Sequence, residues 1–175
     1  MLLCQPVSTV KIVAAKLCCA SFIACIGVLL TLSLTSFSVS FIDLTKIGAS
    51  FSLDAFTITA LLLLLLPICF FASALQLFVA FQSKNFKEAQ SLVSMIIMLP
   101  AMVPAIMMFV DNKPKWLDWL PISGQSLIME DLFKGLPVSW ALLSFTGLVT
   151  ISMTVILVLL MAKKLRSEKV VLALS

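Results

Sequence analysis

There is no histidine among the 175 residues. That one gap removes the commonest general base and the commonest transition-metal ligand, and with them HExxH zinc sites and Ser-His-Asp triads. Charge is scarce as well: 11% of residues are charged, against about 25% in a soluble domain. Glycine is equally thin, with five residues, none followed by lysine, so the GxxxxGK[ST] phosphate cradle cannot be formed. Nor is there a GxSxG elbow, because Gly48-Ala49-Ser50 and Gly124-Gln125-Ser126 each miss the second glycine. No enzyme chemistry and no cofactor site can be read from these residues, so any ATP would have to be bound by a separate subunit.

What fills the chain is apolar: 62% hydrophobic residues and a mean hydropathy of +1.19. Too few polar groups remain to clothe a water-facing surface, which excludes disorder, collagen and a nucleic-acid-binding domain together. The net charge of +4 is no polyanion-binding stripe. Cysteines number five, and Cys18, Cys19, Cys25 and Cys69 lie inside apolar runs, where a reduced thiol packs as a small hydrophobe.

Stretches free of charge run over 17–42, 55–83, 89–110 and 135–162. Each exceeds the about 20 residues that a helix needs to cross a hydrocarbon core. The runs do not alternate as barrel strands do, and lipid leaves the backbone no other choice. The expectation is an all-α, polytopic membrane protein forming one transmembrane domain, with spans over about 17–39, 55–81, 90–110 and 138–162. The first run exceeds the 7–15 residues of a signal-peptide core and reads as a true span.

Lysine and arginine stay on the cytoplasmic side of short connections. With both termini inside, Lys11, Lys16, Lys84, Lys87, Lys163, Lys164, Arg166 and Lys169 are cytoplasmic, and Lys46, Lys113, Lys115 and Lys134 are outside. That bias predicts a multi-pass protein of the cytoplasmic (inner) membrane with both termini in the cytoplasm. Trp116, Trp119 and Trp140 then lie at the outer face, where indoles suit the headgroup layer.

The connections differ in content. Asp43 to Asp54 reads as a plain outer turn. Between the second and third spans, Asn85 and Glu88 match a capping box that starts a helix, with lysines snorkelling beside it. The outer segment 112–137 reads as two short helices. Trp116, Leu117, Trp119 and Leu120 cluster before Pro121; Ile128, Leu132 and Leu136 then recur at helical spacing until Gly135 and Pro137 close the segment. The second helix is expected to lie on or dip into the outer membrane surface, the competing arrangement being a cap packed over the bundle.

No Asp, Glu, Lys or Arg falls inside a span, so no proton relay, ion site or voltage sensor is visible. Gln76 is the one strongly polar side chain set inside a span and not at its edge, and it reads as a helix-to-helix hydrogen bond. Thr31, Ser33, Thr146 and Thr150 can bond their own helix. Ala20 with Ala24, and Ala101 with Ala105, are small-residue pairs that would let helices approach closely. Pro67, Pro100 and Pro104 each remove a backbone donor and crowd the preceding turn, so the third span should kink; these prolines are either hinges or static bends.

Two stretches carry a resemblance. Leu2-Leu3-Cys4-Gln5-Pro6-Val7-Ser8, followed by Lys11 and Lys16, resembles the coupling segment of type-2 ABC exporter permeases. Phe86-Lys87-Glu88-Ala89-Gln90 resembles that family's FKEAQ signature, especially as found in NatB-like sodium-exporter permeases. Members of the family have six spans and a large outer domain, and work as dimers beside two ATP-binding subunits. This chain resembles their last four spans, which implies a fragment of a larger permease; Ala15 stands where the family often has glycine. The resemblance implies an exporter subunit driven by a separate ABC ATPase subunit, with sodium among the conceivable cargoes beside lipid, peptide or drug. Its implied partners are that ATPase, a second permease copy or subunit, and membrane lipid, with no nucleic acid. Gln5, Pro6, Val7 and Ser8 would dock in a groove of the ATPase with Lys84, Asn85, Phe86, Lys87, Glu88, Ala89 and Gln90 close by, and Pro67, Pro100 and Pro104 would absorb strain. Competing readings are a free-standing four-helix scaffold or assembly protein and a small self-assembled channel, the latter disfavoured by the want of a polar pore ring.

Overall fold

A computed structural model describes residues 8–41, 55–83, 85–107, 109 and 114–174. Regular structure among them is entirely helical: α1 (Thr9–Ser40), α2 (Ala55–Ala80), α3 (Phe86–Met107), a 3-10 turn (Lys115–Trp119), α4 (Ser123–Phe133) and α5 (Trp140–Leu174). Four of these helices, α1, α2, α3 and α5, are long and apolar enough to cross a membrane.

Two helices overrun the expected spans. α1 starts at Thr9 and α5 continues to Leu174, so that Lys11, Lys16, Lys163, Lys164 and Arg166 are helical. A search for uncharged stretches stops at a charge; the helix does not, because lysine and arginine are good helix formers whose stems reach back to the interface. At about 1.5 Å per residue α5 is about 52 Å long, more than a hydrocarbon core needs.

α2 is the axis of the bundle, packed by α1, α5 and α3, while α3 rests on α2 and α4. Ala60, Leu61, Leu64 and Ala74 of α2 are among the most buried side chains. The burial pattern is that of a protein dissolved in lipid. Small and hydroxyl residues are inside, including Ser21, Thr57, Ser73, Thr146, Thr150 and Thr154, while large apolar residues such as Phe22, Ile23, Leu34, Met95 and Met98 are exposed. Lipid tails are as apolar as leucine, so helices associate through close packing and polar satisfaction. Thr146, Thr150 and Thr154 form one buried face of α5, and their hydroxyls donate to the carbonyls of Leu142 (2.9 Å), Thr146 (2.7 Å) and Thr150 (2.9 Å). Thr31 and Ser33 likewise donate to their own helix, at Gly27 and Leu29. The two alanine pairs differ: Ala20 and Ala24 of α1 are half-buried, whereas Ala101 and Ala105 of α3 are exposed, and the fully buried alanines of α2 are Ala60 and Ala74.

One end of the bundle gathers the tryptophans, where Trp140 meets Phe56 edge to face at 5.7 Å and Trp119 meets Phe145 at 5.0 Å. The other gathers cations: Lys16 Nζ stands 5.2 Å from the Phe81 ring centroid.

The 3-10 turn and α4 form a hairpin that packs on the bundle; α4, expected to lie on or dip into the outer membrane surface, turns its most buried side chains to protein, as the competing packed arrangement has it. Ile128 and Leu132 of α4 join Ala60, Leu61 and Leu64 in one buried cluster. Two residues of the apolar stripe therefore meet α2 while the third, Leu136, stays 50% exposed, and α4 wedges between α2, α3 and α5. At the hairpin tip Gly124 lies so close to the Asp118 carbonyl and to Thr146 that a Cβ would collide with both. Irregular backbone at such depth must satisfy its own polar groups. The tip does so: Gly124 N–H donates to Leu120 O (2.9 Å), Ser126 N–H to Ile122 O (2.8 Å), and Ser123 Oγ to Leu117 O (2.8 Å). Ile122 holds φ +71° and ψ −55°, the centre of a γ-turn closed by Ser123 N–H to Pro121 O (2.9 Å), a strained conformation that costs a β-branched residue about 1–3 kcal/mol. The expected closure is present, since Gly135 adopts φ +69° and the Gly135 and Leu136 N–H groups donate to Leu132 O and Asp131 O in a Schellman motif.

Candidate functional site

Two regions hold the residues singled out by sequence. The first is the cationic end. Gln5, Pro6, Val7 and Lys84 lie outside the described residues, as does the turn over 42–54. Ser8 opens α1, its carbonyl accepting from Lys11 N–H (3.0 Å) and Ile12 N–H (3.3 Å), and it shares a cleft of about 470 Å³ with Lys163 and Arg166 of α5. α2 ends in a short turn, with Phe81 N–H donating to Leu77 O and Gln82 N–H to Val79 O, both at 2.9 Å. α3 begins immediately after Asn85, whose carbonyl accepts from Ala89 N–H at 3.0 Å. Glu88 sits in its first turn, where a carboxylate complements the helix dipole.

Asn85, Phe86, Lys87, Glu88 and Gln90 are exposed and Ala89 is half-buried. Phe86 is 83% exposed, more than almost any other large apolar side chain. So exposed an aromatic contributes little to the packing of the bundle. The structure thus brings Ser8 and the 85–90 turn to one end of the molecule but seats them differently, Ser8 beside α5 and the turn at the head of α3.

The second region is internal. α2, α3 and α4 line a partly open cavity of about 280 Å³ whose walls include Leu64, Gln76, Ile97, Pro100, Pro104 and Gln125. α2 and α3 run unbroken through their prolines. Pro67 faces α5, where a Cβ on Gly147 would stand 3.7 Å from its ring, whereas Pro100 and Pro104 turn to the cavity. Gln76, expected to close a helix pair, lies on the same wall.

Sequence reasoning passed over Gln125. It is 1% exposed, and its Oε1 accepts from Ile122 N–H at 3.3 Å, holding the strained tip. Its Nε2 finds no acceptor among the described residues. The available signal was a glutamine three residues after Ile122 at a helix start, the spacing at which a side chain reaches back to the cap. At the far end of α4 Lys134 pairs with Glu130 at 2.6 Å, and the hydrogen bond and charge of Glu130 hold the ammonium above the usual lysine range.

No family model, no curated protein and no solved structure matches this chain.

Proposed function

We propose that the chain is the membrane-spanning part of an ABC-type exporter, moving cargo out of the cytoplasm with ATP hydrolysed by a separate subunit. The observation that carries this reading is the exposed turn Asn85 to Gln90 with its bare Phe86, because its sequence resembles the FKEAQ signature of type-2 ABC exporter permeases and it stands at the cationic end. That end is cytoplasmic by the lysine and arginine bias, in a cytoplasmic (inner) membrane. Gln5, Pro6, Val7 and Ser8 are the second docking element in this scheme. Closure of the nucleotide-loaded ATPase pair presses on both, and α3 yields at Pro100 and Pro104, where two successive turns want backbone hydrogen bonds. Pro67 plays the same part in α2. The exposed faces of α1 and α3 are available to a second permease subunit, and sodium is one candidate cargo.

Co-expression with an ABC ATPase subunit of the same cell and capture on the tagged permease tests the docking. Pro6→Asp, Phe86→Asp and Glu88→Lys each lower capture about tenfold if these groups are interface anchors. Undiminished capture by all three removes the docking scheme.

A further inference from the structure

We infer that the cavity between α2, α3 and α4 holds one acyl chain of a membrane ester lipid, whose ester carbonyl accepts a hydrogen bond from Gln125 Nε2. Shape, depth and polarity converge on this occupant, independently of any ATPase partner. Along α2 the walls run from Leu64 to Gln76, about 18 Å of helix rise. A volume of about 280 Å³ drawn out over that length is a slot, and a cavity about half as large already admits benzene. Its sides are aliphatic, from Leu64, Ile68, Ile97 and Pro100. Ile97 and Ala101 on its rim are exposed, so the slot opens sideways onto the lipid-facing side of α3.

Polarity is confined to a few groups, and the one that demands a ligand is Gln125. An amide donor buried without an acceptor is costly, and Gln125, 1% exposed, is shut off from solvent by its own neighbours. Its depth selects the acceptor. The hairpin tip contacts Thr146, which follows Phe145, the ring that Trp119 meets edge to face at 5.0 Å; the tip is thus about 9 Å of helix rise below Trp140 but level with Trp119, at the inner edge of the tryptophan layer. Tryptophans mark the headgroup level, and lipid ester carbonyls lie just beneath it. The ester therefore meets Gln125 while its chain descends the slot toward Gln76.

The test uses the full chain in nanodiscs of ether-linked phospholipid, which carries no ester carbonyl. The probe is the methyl ester of dodecanoic acid bearing a terminal diazirine; its hydrocarbon analogue without the carbonyl is the control. Irradiation is expected to give saturable labelling near one probe per chain, mapped to peptides of α2 and α3 that wall the slot. Gln125→Met, of similar size but without a donor, lowers ester labelling about fivefold and leaves the hydrocarbon control unchanged. Ala72→Trp on α2 fills the slot and abolishes both, and decides the matter should the Gln125 variant misfold. Changing to ester-linked phospholipid lowers ester labelling severalfold by competition. Labelling that does not saturate and spreads over α1 and α5, equal labelling of the Ala72→Trp protein, or indifference to ester-linked lipid overturns the proposal.

Discussion

At Gly124 a methyl group has nowhere to go, because the Asp118 carbonyl and the Thr146 side chain already fill the space. Gly124→Ala forces the hairpin tip off α5 and is expected to cost about 1–3 kcal/mol, the usual penalty of overpacking. Gly135 is different: nothing lies within 4 Å of a Cβ there, and only the backbone at φ +69° resists. Gly135→Ala should cost about 1 kcal/mol, from the left-handed conformation alone. Denaturant unfolding in micelles checks the ranking; a Gly124 variant as stable as the wild type would refute the tight approach. Four residues before Gly135's neighbour Lys134 stands Glu130, and their pairing has a pH signature. The folded state raises the Lys134 pKa, so the stabilisation is complete below the unfolded lysine value of about 10.4 and fades as pH rises through the higher folded value. Between pH 7 and pH 10 wild type and Lys134→Met should differ by a small constant margin, which vanishes only in stronger alkali. The margin is small because the pair is exposed and solvent screens it.

α4 joins the bundle through few side chains, and its attachment can be cut without removing a span. Ile128 and Leu132 carry it onto Ala60, Leu61 and Leu64. Truncating both to alanine should cost about 2–5 kcal/mol for each buried group and release the hairpin from α2. Hydrogen exchange over 115–136 is then expected to rise by orders of magnitude while the middle of α2 and α5 stays protected. Loss of protection throughout would mean that the hairpin is the keystone of the bundle and not an inserted wedge. An apolar stripe at helical spacing was evident in Ile128, Leu132 and Leu136, but whether it faced lipid or protein was not. Both are apolar solvents, and a stripe of leucines is indifferent between them. What settles the matter is Gly124, small enough to let the tip reach α5, and that requirement comes from residues remote in sequence.

The orientation of the whole bundle is open to a direct map. With all five native cysteines replaced by alanine, single cysteines at position 85 and position 116 report the two ends. A membrane-impermeant maleimide added to intact cells should tag position 116 and spare position 85; the reverse pattern inverts the topology and detaches the docking scheme from the ATPase. The four spans could be read directly, because leaving about 20 apolar residues uncharged has one outcome in lipid and backbone hydrogen bonding allows only a helix there. Helix starts and stops at turns were also legible: Asn85 before α3 and Gly135 after α4 act through neighbours a few residues away. The tertiary structure alone decided that α2 is the axis, that α4 is a wedge, that the prolines of α3 line a slot, and that Gln125 keeps a donor with no acceptor among the described residues. Hydropathy measures the cost of leaving water, a property of each residue taken singly. Which apolar surface meets which, and which polar atom is left without a partner, depends on contacts between helices far apart in the chain, and in a lipid solvent no hydropathy difference records that choice.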